Sequence, residues 1–425
     1  MRAFKDSGIE WLGEIPEHWD IKRLRYIGYI FGGLTGKTSK DFSNEYIQGF
    51  KPYITFKNVC NNTIIDFSNI EYVSINVLEI QNRVIKNDIL FLQSSETLDE
   101  VGKSAIYLSD KEIYLNTFCK GFRVQKSAYP IFLNYLFVSL TYKRYFMQNC
   151  SGFTRINLRQ EHFLDIPLII PPIEEQKAIA DFLDSKCKQI ESFVDKKQKL
   201  ISLLNEKKQA LINECVTKGL DKNVKYKNSG VEYLGEIPKH WKIKKFKHLA
   251  IICNGKEQLQ VASDNGVYPI YGSGGIIGKT NQFLYNKQSV LLGRKGTIDK
   301  PLFVEIPFWA IDTMFYTKIL DIVHSKYFYY LCLTIDFKIY TSGSAIPSMT
   351  QSDLAEIIFP FAPLQEQKQI AEFLDSEISK IDSIIGKIKK QIELIKEYKS
   401  TLISQAVCGR VEEVSHRAYS INMRE

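Results

Sequence analysis

Two stretches of this chain are near copies. "SGIEWLGEIPEHW" runs from Ser7 to Trp19 and "SGVEYLGEIPKHW" from Ser229 to Trp241, ten of thirteen positions identical at an offset of 222. A second pair, "PPIEEQKAIADFLDSK" from Pro171 and "APLQEQKQIAEFLDSE" from Ala362, repeats at an offset of 191. Weaker echoes lie between them in the same order. "ILFLQSSET" (Ile89 to Thr97) matches "SVLLGRKGT" (Ser289 to Thr297) at 200, and "LNTF" at Leu115 matches "IDTM" at Ile311 at 196. "SGFTRINLRQEHF" at Ser151 matches "SGSAIPSMTQSDL" at Ser342 at 191. Shared order beside two strong repeats means a tandem duplication, because solenoid periods are far shorter. The offset falls mainly before residue 89, so the first copy carries about 22 extra residues early on, 222 less 200.

At 425 residues the chain is too long for one ordinary core. Hydrophobic residues at 44% and charged residues at 24% are ordinary globular composition. No apolar run approaches the roughly 18 residues needed to cross a bilayer, and the first residues contain no secretory apolar segment. Eight scattered cysteines show neither C-x-x-C pairs nor zinc spacing, which fits unpaired thiols in a reduced cytoplasm.

Each copy is followed by a helical pattern. Pro172 and Pro363 mark the starts, since proline is tolerated there and excluded from interiors. Glu174, Glu175 and Glu366 follow in the first turns, where the helix dipole favours acids. No proline interrupts before Val216 or Val407. In the second tail Ile378, Ile381, Ile385, Ile388, Ile392 and Ile395 step by three and four, a coiled-coil seam. In the first, Leu183, Ile190, Phe193, Leu200, Leu204 and Leu211 lie on a looser heptad grid. The expected organisation is globular copy 1–172, helix 173–220, globular copy 221–363, helix 364–411 and a tail, 412–425. The globular copies read as mixed α/β, with short strands such as "DILFLQ" and "SVLLGRK". One helix is expected in each, around "PIFLNYLFVSLTYKRYFMQ" and "SKYFYYLCLTIDFKIY".

The net charge of +8 permits a nucleic-acid partner without demanding one. Its excess sits in the globular copies, with 20 basic against 18 acidic residues in the first and 17 against 12 in the second. Each tail is nearly neutral.

Catalytic motifs fail on inspection. "FGGLTGKTS" lacks a P-loop's first glycine, because Phe31 stands there. "YGSGGIIGKT" has no dinucleotide spacing, and neither H-E-x-x-H nor G-x-S-x-G occurs. What the loops offer is polar and basic groups beside glycines. In the first copy these are Lys37, Thr38, Ser94, Ser95, Thr154, Arg155 and Asn157. In the second they are Ser273, Lys279, Arg294, Lys295, Thr297, Ser344 and Ser348. Arginine and lysine bond guanine edges or phosphates, asparagine pairs with adenine, and hydroxyls serve either.

With both repeats and these loops in view, the chain resembles the specificity subunit of a type I restriction–modification system over nearly its full length. The twice-present "P-[IL]-x-E-Q-K-x-I-A-x-F-L-D" signature and "YPIYGSGGIIGKT…SVLLGRKGTIDKP" carry the resemblance. It implies an α+β fold of two tandem mixed α/β target-recognition domains, each followed by a long helix. The two helices would pair as an antiparallel coiled coil about a pseudo-two-fold. It implies double-stranded DNA as the ligand, each domain reading one half of a bipartite site. The implied partners are two methylation subunits, which hold S-adenosylmethionine and methylate adenine, and two translocase/restriction subunits using ATP and Mg. This chain would hold no metal or cofactor and act, without a membrane, as the non-catalytic subunit of a cytoplasmic deoxyribonuclease and methyltransferase. Within the signature, Gln176, Ile179, Phe182 and Leu183, with Gln367, Ile370, Phe373 and Leu374, are the expected spacer or partner-binding residues. The first copy lacks the Arg294–Lys295 pair at "FLQSSET", so a contact there does not carry over. The opening motif, with its Trp and Pro, is expected to be a clasp near helix ends. A free-standing bivalent DNA-binding protein and a coiled-coil protein adaptor are the competing readings.

Overall fold

A computed structural model describes residues 3–125, 128–340 and 348–411. The chain divides into two units, Met1–Lys196 with Gln391–Glu425, and Lys197–Lys390. Both long helices form, at Ile173–Lys218 and Leu364–Val407, and the division falls inside each. Each unit therefore owns the front of one helix and the back of the other.

The two units carry the same sheet. In the first, the antiparallel order is Ser104–Ile106, Ile89–Leu92, Cys119–Val124, Gly28–Gly32. In the second it is Leu302–Val304, Ser289–Gly293, Met314–Ile319, Ala250–Asn254. Ile89–Leu92 and Ser289–Gly293 are wholly buried, which is why they read as continuous apolar runs. Beside each lies a sheet with one parallel pair, Tyr114–Leu115 on Lys51–Ile54 and Trp309–Ala310 on Tyr268–Gly272.

Hydrogen-bond register locates most of the extra residues. Lys51–Ile54 turns to its antiparallel neighbour Ile70–Val73 through a helix, Phe56–Asn61, and a 3-10 turn. The matching connection in the second unit is a tight hairpin from Gly272 to Gly275. Asn58, fully buried, holds the inserted segment by donating Nδ2 to the carbonyls of Asp66 (2.7 Å) and Asn69 (2.9 Å).

The expected single helix of each copy is two. Pro130–Val138 stops at Ser139, whose extended backbone (ψ 151°) and side chain cap a second helix, Leu140–Gln148. Ser325–Cys332 likewise stops before Phe337–Tyr340. The Ile381, Ile385, Ile388 and Ile392 seam is buried. The first helix differs from its expected grid: Phe193 and Leu200 are exposed, while Cys187 and Val194 are buried. The unbroken three–four steps from Leu183 run through those two positions instead.

The repeated opening motif acts on the helix ends. Trp19 is fully buried, and its Nε1 donates to Glu175 in the first turn of Ile173–Lys218 at 3.1 Å. His18 Nε2 meets the other carboxylate oxygen at 2.6 Å. Trp241 and His240 hold Glu366 in the same way, at 2.9 Å and 2.7 Å. A carboxylate belongs there, because a helix start presents unsatisfied N–H groups and the positive dipole end. The tryptophan also packs on a helix that ends in its own unit. Gly409, just past Leu364–Val407, has φ +73°, and a Cβ on it would stand 2.5 Å from Pro16 Cγ and 2.9 Å from Trp19 Cη2. Gly219, past Ile173–Lys218, has φ +75°, and its Cβ would stand 3.2 Å from Trp241 Cζ2. Each motif thus grips the start of one long helix and the end of the other.

A pair of substitutions separates backbone strain from crowding. Gly219→Ala is expected to cost about 1–2 kcal/mol, the penalty of a left-handed non-glycine residue. Gly409→Ala should cost more, because ring atoms of Pro16 and Trp19 must also move. Urea unfolding of both variants checks this, and equal losses would refute the crowding argument.

Candidate nucleic-acid interface

In the first unit the buried strand Ile89–Leu92 delivers Gln93 and then Ser94–Ser95, which pair with the hairpin strand Ile156–Leu158. The register is Ser95 opposite Ile156 and Ser94 opposite Asn157. Leu158 N–H donates to Gln93 O (2.9 Å), and Gln93 N–H donates to Phe118 O (3.0 Å). Four of the expected residues, Ser94, Ser95, Arg155 and Asn157, are therefore brought together, with Thr154 exposed at the hairpin tip. Their availability differs. Ser94 and Ser95 are buried, and Ser95 donates to Glu100, whose carboxyl this bond holds below its ordinary range. Arg155 lies 4.0 Å over the Phe118 ring and 3.9 Å from Glu96. Asn157 is exposed and donates Nδ2 to the Arg155 carbonyl at 3.0 Å.

Lys37 and Thr38 belong to another loop group. The Lys37 side chain is 3% exposed and ion-paired to Glu79, which lowers the Glu79 pKa. Thr38 caps the turn Ser39–Asp41 through Asp41 at 2.9 Å. Both are engaged within the fold, the lysine by a carboxylate 42 residues downstream and the threonine by one three residues on.

In the second unit Lys295 bridges Ser348, Met349 N–H donates to Arg294 O (3.0 Å), and Arg294 N–H donates to Thr313 O (2.8 Å). Gly296 turns the loop at φ +83°, with Ser273 Oγ 3.1 Å from where its Cβ would stand. The Thr297 carbonyl folds back onto Gly293, 2.2 Å from a Cβ there. Ser273, Arg294, Lys295, Thr297 and Ser348 thus form one group. Lys279 is exposed on the strand Gly275–Thr280, opposite Pro269. Ser344 lies outside the described residues. Arg294 and Lys295 are exposed and, among the described residues, make no ion pair.

These bonds correct the alignment of the copies by one residue. Gly33 N–H donates to Cys119 O as Gly255 N–H, 222 residues on, donates to Met314 O. Cys119 therefore matches Met314, and the "LNTF" stretch matches at 195 rather than 196. Cys119 pairs with Leu92 as Met314 pairs with Gly293, so Leu92 matches Gly293 at 201 rather than 200. Gln93 then stands where Arg294 does, and Ser94 where Lys295 does. Short apolar strands resemble one another in either register, and only the ladder distinguishes them.

The signature residues of the long helices are turned into their own units. Gln176 and Gln367 are fully buried. Each donates Nε2 to the carbonyl of a residue five back, Pro171 and Ala362 (both 2.8 Å). Each also accepts from a backbone N–H at a shorter helix's start, Tyr129 (2.7 Å) and His324 (2.8 Å). Ile179, Phe182, Leu183, Ile370 and Leu374 are buried in the cores, and Phe373 is 39% exposed. The signature aspartates accept from tyrosines, Asp184 from Tyr135 (2.6 Å) and Asp375 from Tyr330 (2.5 Å). Burial and these bonds raise both tyrosine pKa values.

Two exposed aromatic residues of the first unit, Phe118 and Phe153, are not among the expected contacts. The available signal is that each is an aromatic residue in a polar loop, "LNTF" and "SGFTR", unmatched in the other copy. Among the described residues no group of three or more His, Cys, Asp or Glu could hold a metal ion. No described helix is long and apolar enough to cross a membrane.

Comparison with known proteins places this geometry. The family described as "Type I restriction modification DNA specificity domain" matches twice, at residues 16–202 and 238–394. The MjaVIII type I restriction enzyme specificity subunit of Methanocaldococcus jannaschii is 27% identical, covering 97% of each chain. The EcoKI specificity subunit of Escherichia coli is 27% identical over 42% of this chain and 38% of its own. Among solved structures, a chain from work on assembly and conformational transition of the type I R-M system has a TM-score of 0.73 at 13% identity. It covers 93% of this chain and 99% of its own. The HsdS subunit from Thermoanaerobacter tengcongensis has a TM-score of 0.51 at 13% identity, covering 93% and 98%.

Proposed function

The chain belongs to the type I restriction modification DNA specificity family, and from that premise we propose that it reads a bipartite duplex site, one half with each unit. The family role is DNA sequence specificity in a restriction–modification system. The observation that carries the bipartite reading is the repeated sheet with unlike loops. Both units build the same strand order and the same loop junction, yet one presents Arg294 and Lys295 where the other has Gln93 and Ser94. Equal scaffolds with different edge chemistry suit two different half-sites.

On this reading the chain supplies the address and its partners the chemistry. Two methylation subunits would bring S-adenosylmethionine to adenine, and two translocase/restriction subunits would bring ATP and Mg, in the cytoplasm. Partner contact falls to helix faces other than the buried signature residues, with Phe373 the exposed exception. The test is selection from a randomised duplex pool by the purified chain. It should enrich two short blocks separated by an unread gap, and transfer no methyl group when S-adenosylmethionine is added. A single continuous motif, or methyl transfer without a partner, would overturn the proposal.

A further inference from the structure

The hairpin strands Cys150–Ser151 and Ile156–Leu158 are joined by a four-residue tip, Gly152, Phe153, Thr154 and Arg155. Phe153 is fully exposed, at 107% of its reference area. The turn that presents it is tightly specified. Gly152 has φ +141°, and a Cβ there would stand 2.0 Å from the Arg155 carbonyl oxygen, so only glycine closes the tip. Behind the ring, Arg155 is stacked on Phe118 and its carbonyl is held by Asn157. The base of the tip is therefore braced while the ring makes no use of the fold.

Isolated exposed apolar side chains are common on protein surfaces and need no explanation by themselves. This one stands at the end of a narrow braced hairpin, flanked by an exposed hydroxyl, a guanidinium and an amide suited to groove edges and phosphates. An unhindered apolar side chain between such groups is the arrangement that enters a base step, unstacks it and bends the duplex. We propose that Phe153 is a wedge that inserts between two base pairs of the half-site read by the first unit. Thr154 and Arg155 then lie on the groove edges beside it. The inference rests on the DNA-reading assignment made above. Its counterpart in the repeat "SGSAI" is Ser344, at the offset of 191, so the second half-site is read without a wedge.

The experiment uses the full chain and the duplex that the wild-type chain enriches from a randomised pool. In that duplex 2-aminopurine, which brightens when unstacked, replaces one base at a time. Wild type should brighten one step in one half-site only. Phe153→Ala should abolish that signal and weaken binding by about tenfold, with thermal unfolding unchanged because the ring is outside the core. Phe153→Leu should keep most of both effects, since leucine also wedges, whereas Phe153→Ser should not. The wedge is refuted if no position brightens, or if brightening survives in Phe153→Ala. Unchanged DNA affinity with lost co-purification of another protein also refutes it, making the ring a protein-binding residue. If the wild-type chain enriches no sequence, the DNA-reading assignment fails first and the wedge with it.

Discussion

Trp19→Ala is expected to cost the first unit about 3–5 kcal/mol, and Trp241→Ala the second unit a similar amount, the usual range for truncating a buried aromatic residue. Both indoles are fully buried, each donates to a helix-start glutamate, and each packs against a glycine that ends the other long helix. Truncation opens a cavity and removes the indole's hydrogen bond from a helix-start carboxylate that the histidine also holds. Urea unfolding, followed by the fluorescence of the remaining tryptophans, should show each variant losing its own unit first. Glu175→Gln should cost less, about 1 kcal/mol, because an amide oxygen still accepts from Trp19 or His18. A loss below about 1 kcal/mol in both tryptophan variants would mean the motif is not a clasp.

Replacing Arg294 and Lys295 together by alanine should impair one half-site and leave the other intact. The pair is exposed, without ion pairs among the described residues, on a loop whose backbone is fixed by Thr313, Ser348 and Met349. A bidentate base contact is worth about 1–3 kcal/mol of discrimination, so one base position should relax. If the pair meets phosphate instead, affinity should fall for all sequences and the salt slope should shrink by about one unit for each phosphate left unneutralised. Competition against single-base variants at two salt concentrations separates the two. Unchanged affinity and specificity in the folded double variant would remove this loop from the DNA surface.

The first copy shows why such contacts are hard to read from sequence. Lys37 sits in a glycine-flanked loop as a phosphate ligand would, yet its charge is satisfied by Glu79. Ser94 and Ser95 do share a group with Arg155 and Asn157, but as strand partners with buried side chains. Gln176 and Gln367 look like partner residues because the signature repeats them. In the fold each ties a shorter helix to the long one.

What the sequence determined by itself is the set of things written locally or written twice. Prolines and first-turn acids placed both long helices, since those residues act within one turn of where they stand. The repeat determined that there are two like folds, because matched order at falling offsets has no other simple source. Tertiary structure alone decided which partner each side chain meets, and the one-residue register of the copies. The His-Trp pairs lie more than 120 residues from the glutamates they hold, and those contacts exist only once the chain has folded back. A ladder hydrogen bond, likewise, distinguishes Leu92 matching Gly293 from its neighbour, where apolar composition cannot.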